Sequence, residues 1–231
     1  AFGHHRFLAR PLRGITRVRD IADIFEQSTY EESYINMMRI SWLVGTGGLL
    51  SHAPRRVQTA LILIDAFQPE GITRLAQDSV FMMPHLGVLS SVCPKAALEI
   101  FEKDCLVKLG VCVALKGQPS QRSKEKEIGS VKIKMPNGTV LEETLFFGEI
   151  KKIPLREEEK AELEIGPVSG FDAGAGLGRT SKAIVEGGVV GIVLDARGRP
   201  LELPEDENER KAKLAEWFNT LDAYPKEVLE A

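Results

Sequence analysis

The spacing of hydrophobic and polar residues changes from a helical period to a period of two near residue 107. Within residues 54–67 the apolar residues recur at helical spacing, and Pro54 is suited to the first turn of that helix. Within residues 130–147, by contrast, apolar residues alternate with lysines, which is typical of a strand with one buried face. The change of period predicts an α/β layer in the first half of the chain and mainly β structure in the second.

Further helices and strands are expected in the first half. The pattern predicts two helices within 17–42, followed directly by a short strand that ends at Gly45. It then predicts a strand within 69–78 and two short helices within 79–104, with Pro84 interrupting the first of these helices. Helices that alternate with short strands indicate an α/β arrangement.

The second half contains a hairpin signal and one helix. The pair Asn137-Gly138 predicts a tight turn between two strands within 130–147. Extended segments follow, and the chain closes with a helix whose apolar residues share one side: Leu214, Trp217, Phe218 and Leu221. A polar, charge-rich stretch, KGQPSQRSKEKE (116–127), lies between the two halves. We therefore predict an α/β domain over 1–110, a linker over 111–127 and a β-rich domain over 128–231.

The composition is that of a globular chain without a strong charge bias. Hydrophobic residues make up 43 % of the 231 residues, which is enough for a packed core. The chain has 30 basic and 33 acidic residues and a formal net charge of −3, so charge gives no indication of binding to nucleic acid or to anionic membranes. The three cysteines lack CxxC spacing, and no apolar run reaches about 20 residues. These features favour a reduced, cytoplasmic protein, and the missing initiator methionine suggests a piece of a longer polypeptide.

The stretch LVGTGGLL (43–50) is the first candidate site. Gly45, Gly47 and Gly48 lie between an expected strand and an expected helix, where glycines allow a ribose or phosphate to approach the main chain. The spacing is neither GxxxxGK[ST] nor GxGxxG, and no lysine follows that could neutralise a phosphate. From the motif alone, a nucleotide-contacting turn and a purely structural turn are equally open.

A second glycine cluster, FDAGAGLGRT (171–180), lacks the helix that a dinucleotide-binding turn requires. We therefore expect a β-hairpin or bulge there, and we predict no metal site at Asp172 because no second acidic residue is nearby. His52 and His85 are candidate general bases, but no nucleophile-elbow sequence accompanies them. A hydrolase is thus the least supported hypothesis, and no catalytic residue is predicted.

Three stretches carry a resemblance to a known family: WLVGTGGLLSHAP (42–54), PEGITRLAQD (69–78) and FMMPHLGVLSSVCPKAAL (81–98). They resemble the second half of the glutamate mutase accessory family called MutL, which is unrelated to the mismatch-repair protein of that name. The tail over 170–210, which begins GFDAGAGLGRT, also resembles the end of longer members of that family.

The resemblance implies the superfamily of actin, sugar kinases and heat-shock chaperones, in which two α/β halves close over ATP. The fold would then be an α/β actin-like ATPase half-domain followed by a mainly β domain with a C-terminal helix. Gly47 and Gly48 would lie against the adenine or ribose of ATP or ADP, with Gly45 and Thr46 entering the turn. The magnesium and phosphate ligands would lie outside this chain, so the chain alone would be inactive as an ATPase.

The function implied by the resemblance is that of an ATP-binding, chaperone-like accessory or reactivating factor. Its partners would be the subunits of a cobalamin-dependent glutamate (methylaspartate) mutase, from which ATP binding and hydrolysis would release damaged cobalamin. The alternative is a non-catalytic protein-interaction module in which both glycine clusters are structural turns.

Overall fold

The computed structural model describes residues 35–119 and 127–229, which form two β-sheets and a layer of helices. The strands in this part of the chain are β1 (Trp42–Gly45), β2 (Gly71–Asp78), β3 (Leu106–Ala114), β4 (Glu127–Lys134), β5 (Val140–Phe146), β6 (Ile150–Ile153), β7 (Lys160–Pro167), β8 (Ser181–Glu186) and β9 (Gly191–Asp195). The helices are α1 (Gly48–Ser51), α2 (Arg56–Phe67), α3 (Met83–Ser90), α4 (Pro94–Ile100), α5 (Glu207–Leu221) and α6 (Lys226–Leu229). A 3₁₀ turn at Met37–Arg39 precedes β1, and a π-helical turn at Phe101–Cys105 leads into β3.

The first sheet is mixed and has the strand order β1-β2-β3-β9-β6. β1 and β2 are parallel and are connected through α1 and α2, whereas β3 runs antiparallel to β2. β9 then pairs parallel with β3 and antiparallel with β6. The central strands of this sheet therefore come from distant parts of the chain.

The second sheet is antiparallel throughout and has the strand order β5-β4-β7-β8. Its strands β4 and β7 largely alternate between a buried and an exposed face, as is typical of a sheet with one solvated side, apart from an irregularity at the start of β4. On the exposed face, lysines and glutamates of neighbouring strands form ion pairs, such as Lys132 with Glu142 and Lys134 with Glu162. The buried face packs against the first sheet.

The core has two parts, one on each face of the first sheet. Between the two sheets lie the inward side chains of β3, β4, β7 and β9, among them Val113, Ile133, Leu163 and Leu194. On the opposite face, α2 and α5 pack their apolar sides against β3 and β9, through residues that include Ile64 and Trp217. Each large apolar side chain buried in this way contributes about 1.5–3 kcal/mol. The first sheet is thus the central layer of three.

This layering differs from the predicted division into two domains. The predicted boundary at 111–127 begins inside β3 and ends at the first residue of β4. β3, in which the predicted boundary begins, pairs with β9, which follows the boundary, and the core cluster on the helix side contains residues from both predicted domains. The change of hydrophobic period marks a change of secondary structure, because strands can pair across any distance in sequence.

Most of the local predictions inside the described residues are confirmed. β1 ends at Gly45, β2 lies within 69–78, and the Asn137-Gly138 turn joins β4 and β5, with Gly138 at φ = +83°. The apolar sides of α2 and α5 are also as predicted.

Three local predictions are wrong. Pro54 lies before α2, whose N-cap is Arg55, and not in the first turn of that helix. Among the described residues before β1, 35–41, only Met37–Arg39 is helical, so the second predicted helix does not reach Trp42, which lies in the strand. Pro84 opens α3 instead of interrupting a helix, because the first turn of a helix tolerates a residue without an amide hydrogen. The other helix predicted within 17–42 lies mainly outside the described residues. The actin-like ATPase architecture stays a prediction.

Candidate functional site

The glycine turn, residues 45–48, lies at the carboxyl end of two neighbouring parallel strands. Gly45 is the last residue of β1 and pairs with Gln77, one residue before the end of β2. α1 begins at Gly48, and α2 then leads the chain back to β2. In open α/β sheets, ligands bind beside the carboxyl ends of the strands. The position of the turn therefore suits a small-molecule site.

The three glycines of the turn differ in what the fold requires of them. A Cβ atom on Gly45 would lie 2.6 Å from Leu50 Cδ1, so this glycine allows α1 to pack closely on β1. Gly47 has φ = +107°, a conformation that other residues rarely adopt. Gly48 has neither constraint, since the nearest neighbour of its Cβ position is 3.9 Å away. The open space beside Gly47 and Gly48 allows a ligand to approach the main chain.

A buried carboxylate, Asp78, connects the glycine turn with the start of α3. Its Oδ2 accepts hydrogen bonds from Thr46 Oγ1 at 3.2 Å and from the Met83 amide at 2.9 Å. Its Oδ1 accepts hydrogen bonds from the amides of Met82 at 3.1 Å and Val80 at 3.4 Å. Asp78 is fully buried at the end of β2. This residue therefore fixes the geometry of both segments that border the site.

The negative charge of Asp78 is stabilised by uncharged donors. Burial raises the pKa of Asp78, but the hydrogen bonds from the Met83 and Met82 amides, the Thr46 hydroxyl and the Val80 amide together outweigh burial. The pKa of Asp78 therefore lies below its ordinary value, and the side chain is ionised at neutral pH. Its lone pairs are occupied by the protein itself, so Asp78 supports the site and does not act as a general base.

A second set of polar side chains holds α1 against the sheet. Gln77 Nε2 donates to the carbonyl oxygen of Leu50 at 2.9 Å, and Thr59 Oγ1 donates to the same oxygen at 3.1 Å. Within the described part of the chain, the buried Oε1 of Gln77 has no hydrogen-bond partner. These contacts anchor the C-terminal end of α1, so the helix that follows the glycine turn has a defined position.

Exposed apolar side chains occur on both segments that border the turn. Leu49 is 78 % exposed and Phe81 is 51 % exposed, and Phe81 has the strained backbone angle φ = +57°. Apolar surface beside an uncharged turn suits a ring system or a sugar better than a phosphate. The described surface beside the turn is therefore partly apolar.

Comparison with known proteins finds one family that the first part of the chain resembles. Residues 13–105 match the model of the family described as MutL protein. Over these residues, which make up less than half of the chain, the sequence is similar to the MutL family. The match contains the glycine turn and Asp78 and ends immediately before β3. No curated protein and no solved structure matches the chain.

The MutL match confirms the resemblance seen in residues 42–98. The resemblance of the tail, residues 170–210, lies outside the MutL match and stays a prediction. The four residues predicted to contact a nucleotide, Gly45, Thr46, Gly47 and Gly48, all lie within the match. In the structure, Thr46 of this turn bonds to Asp78, a residue that no sequence motif indicates.

The second glycine cluster, outside the MutL match, forms a loop closed by its own side chain. Asp172 Oδ1 accepts hydrogen bonds from the amides of Gly174 at 2.7 Å and Gly176 at 2.9 Å. The loop joins β7 to β8, which pair antiparallel, so it connects the two strands of a hairpin, as predicted. Because a carboxylate already occupies two of the loop amides, the cluster is a poor receptor for phosphate.

The titratable side chains singled out in the sequence do not form a catalytic group. His52 and His85 are both exposed, and they lie in different elements. Across residues 35–119 and 127–229, no group of three His, Cys, Asp or Glu side chains could hold a metal ion. Within the same residues, no helix has the length and apolar character needed to span a membrane. The hydrolase hypothesis gains no support from this geometry.

A cleft of about 520 Å³ lies at the opposite end of β2 from the glycine turn. It is lined in part by Met38, Lys116 and Asp172, but its charged groups already have partners. Lys116 Nζ forms an ion pair with Glu70 at 3.1 Å, and the Asp172 carboxylate accepts a hydrogen bond from the Gly174 amide of its own loop. The cleft is therefore less suited to a charged ligand than its size suggests.

A buried charge network lies on the far side of the first sheet and was not predicted. Asp195 accepts hydrogen bonds from Arg197 and Arg199 at 2.8 Å, and Arg197 also bonds Asp65 at 2.7 Å. The Arg197 guanidinium lies 4.8 Å from the centre of the Trp217 ring. These contacts tie α2, β9 and α5 together, so we assign the network a structural role.

Proposed function

We propose that the glycine turn binds the adenosine part of ATP or ADP in an accessory protein of a cobalamin-dependent glutamate mutase. Gly48 is the observation that carries this proposal. A Cβ atom at this position would make only an ordinary contact, with His52 Cδ2 at 3.9 Å, and φ of Gly48 is not in the left-handed region, so packing and backbone strain give no reason for a glycine. A ligand that lies against the main chain gives such a reason.

The family and the position of the turn support the same function. Residues 13–105 match MutL, and the resemblance to that family implies an ATP-dependent role beside the mutase. The parallel strands β1 and β2, connected through α1 and α2, place the turn where α/β proteins bind nucleotides. Gly47 and Gly48 would contact the adenine or ribose, while Gly45 and Thr46 would shape the turn.

The described residues fit a nucleoside better than they fit the magnesium phosphate part of ATP. The space beside Gly48 suits a sugar or base, whereas no metal-binding group of acidic, histidine or cysteine side chains occurs in the described residues. Phosphate and magnesium ligands would therefore lie outside the described residues. When bound, the phosphates would supply the energy of hydrolysis, and the residues described here would hold the nucleoside.

Nucleotide can act on a mutase only through unequal affinity for two conformations. If ATP and ADP bind the open and closed states of the accessory protein with different affinity, hydrolysis shifts the equilibrium between those states. The states that bind the mutase and damaged cobalamin would then alternate during turnover. In this scheme the glycine turn is the nucleotide sensor.

The test is calorimetric titration of ATP and ADP into the full-length protein and a matched pair of variants. Gly48→Ala places a methyl group in the proposed ligand space, whereas Gly87→Ala adds a methyl group to open space in α3. We expect Gly48→Ala to weaken nucleotide binding by about tenfold or more, which corresponds to about 1.4 kcal/mol, and Gly87→Ala to leave it unchanged. Gly48→Val should have a larger effect than Gly48→Ala.

The outcomes separate the proposal from its alternative. Saturable binding that only the Gly48 variants weaken, with unchanged circular dichroism, supports a nucleoside site at the turn. If the folded wild-type protein binds neither ATP nor ADP, or if both alanine variants bind as the wild type does, the proposal is wrong.

A non-catalytic interaction module is the second candidate function, and exposed apolar residues on α3, on α4 and in the turn between them favour it. Val88 is 73 % exposed, Val92 is 85 % exposed, and Leu98 is also exposed. Exposed apolar residues that lie close together often mark a protein interface. If this surface binds a partner independently of nucleotide, the double variant Val88→Lys/Val92→Lys should reduce binding to the mutase equally with and without ATP.

A further inference from the structure

The carboxylate of Asp78 bonds to both segments that border the proposed nucleotide site. It accepts a hydrogen bond from the Thr46 hydroxyl in the glycine turn. It also accepts hydrogen bonds from the amides of Met82 and Met83 at the start of α3. Thr46 and Asp78 are 32 residues apart in the chain. Through Thr46, the carboxylate therefore provides a direct link between the glycine turn and α3.

The α3–α4 segment, residues 83–100, has few other attachments to the core. Leu86 and Ala97 are its buried hydrophobic residues, and most of its other apolar side chains are exposed. A segment that buries little apolar surface opens at a low free-energy cost. Its position therefore depends strongly on the bonds at its beginning, where Asp78 holds the amide of Met83.

The backbone beside Asp78 is strained. Phe81 has φ = +57°, and the residues on either side of it, Val80 and Met82, donate their amides to the Asp78 carboxylate. A bulky residue keeps such a conformation only where its surroundings enforce it. Weakening the hydrogen bonds to the Asp78 carboxylate would therefore allow the backbone of this turn, and the start of α3, to move to a less strained conformation.

We propose that Asp78 is a positioning residue that couples nucleotide binding at the glycine turn to the α3–α4 segment. The inference rests on the proposed function, because it assigns a consequence to the nucleotide bound there. A nucleotide that orders the glycine turn fixes the Thr46 hydroxyl, and that hydroxyl in turn fixes the carboxylate and the first turn of α3. Nucleotide binding thereby changes the mobility of an exposed apolar segment about 40 residues further along the chain.

The experiment measures hydrogen exchange over residues 83–100 in the full-length protein, with and without ADP. ADP is added far above the dissociation constant of each variant, so that weaker binding does not affect the comparison. Thr46→Val removes the hydroxyl, and Thr46→Ser keeps it. We expect ADP to slow exchange of these amides by about tenfold in the wild type and in Thr46→Ser, and by less than about twofold in Thr46→Val.

Combining Thr46→Val with Asp78→Asn tests whether the two residues form one link. If they do, the double variant should lose no more of the ADP effect than Asp78→Asn alone, because both substitutions break the same connection. A merely structural role for Asp78 would instead change exchange equally with and without ADP.

Failure of the coupling and failure of the proposed function give different results. If the wild type binds ADP but Thr46→Val shows the same slowing as the wild type, the coupling is wrong and the nucleotide site stands. The same conclusion follows if ADP binds and leaves exchange of residues 83–100 unchanged. If the wild type does not bind ADP, both the proposed function and the coupling are wrong.

Discussion

Gly45 and Gly48 are three residues apart, yet a methyl group added to each would meet different surroundings. At Gly45 it would lie 2.6 Å from Leu50 Cδ1 and 3.0 Å from Leu63 Cδ2, so the packing of α1 and α2 on β1 would have to shift. At Gly48, the first residue of α1, it would make only an ordinary contact with His52 Cδ2 at 3.9 Å. The same motif therefore contains one glycine that packing requires and one that packing does not.

We expect Gly45→Ala and Gly48→Ala to have opposite effects on stability. Gly45→Ala should lower the free energy of unfolding by about 1–3 kcal/mol, as overpacked sites do. Gly48→Ala should raise it by about 0–1 kcal/mol, since alanine is the better helix former and limits the unfolded chain. Urea denaturation of both variants measures the difference. A loss at Gly48 as large as that at Gly45 would mean that the fold requires both glycines, and the argument for a ligand at Gly48 would lose its basis.

The three cysteines should differ in reactivity. Cys93 is exposed, whereas Cys105 and Cys112 are buried. Burial raises the pKa of the Cys112 thiol to about 12, and burial with the nearby Asp78 charge raises the pKa of Cys105. Since the thiolate is the reactive form, we expect one thiol per chain to react rapidly with a disulfide reagent at pH 8 in the native protein. All three should react in denaturant, and Cys93→Ser should abolish the rapid phase. Fast labelling of Cys112 in the native protein would contradict the packing described here.

The glycine turn could be selected from the sequence, but its support could not. Glycines between a strand and a helix are a local signal, visible within eight residues. Asp78 gives no comparable signal, because its role depends on a contact with Thr46, 32 residues earlier, and on amides that follow it. The nearest clue is an acidic residue at a strand end, shortly before the helix opened by Pro84. A single carboxylate in that position is too common to indicate a site.

The elements that could be predicted are those whose signal is local. The β4–β5 hairpin follows from alternation around Asn137-Gly138, and α5 follows from apolar residues at helical spacing. The segment before β1 could not be predicted in this way. Helical spacing of apolar residues leads up to Trp42, but there the pairing of β1 with β2 prevails over local propensity. Trp42 is therefore in a strand.

Among the ion pairs, we expect the buried network to contribute far more to stability than the exposed pairs of the second sheet. Asp195 is buried and bonded to Arg197 and Arg199, which holds the pKa of Asp195 well below its ordinary value despite burial. Asp195→Asn would leave both arginines without sufficient compensation, at a cost of about 3–5 kcal/mol in unfolding free energy. Lys132→Gln, which breaks an exposed pair with Glu142, should cause no measurable change. Denaturant titration of both variants at pH 7 provides the measurement.

The difference in stability between the wild type and Asp195→Asn should depend on pH. The pKa of Asp195 is lower in the folded state than in the unfolded chain. The stabilisation that the Asp195 charge provides is therefore fully present above the ordinary Asp pKa, and it is lost progressively as the pH falls below about 4. The difference in stability between wild type and Asp195→Asn should therefore shrink on acidification. A constant difference from pH 7 to pH 3 would show that the charge of Asp195 contributes little.

At the scale of the molecule, the connection between the two halves could not be inferred from the sequence. β3 pairs with β2 on one side and with β9 on the other, and β9 lies about 80 residues further along the chain. Hydrophobic spacing reports which face of a strand is buried but not which strand lies beside it. The polar stretch at 116–127 looked like a linker between domains, although it connects strands that contribute to one shared core.

This topology predicts that the two halves do not fold separately. A fragment of residues 128–231 would keep the antiparallel second sheet but would lose β3, the strand that pairs with β9 in the central layer. It would also lose α2, which packs beside α5 on the other face. β9 would then lack its neighbouring strand β3, and apolar side chains on the helix side of the sheet would be exposed. This exposed apolar surface would make the fragment unstable or prone to associate. We expect the fragment to give a poorly dispersed proton–nitrogen NMR spectrum, whereas residues 35–231 should unfold in a single cooperative transition. A well-dispersed spectrum from residues 128–231 alone would show that the second half is an independent domain after all, and that its pairing with β3 is a docking of two folded units.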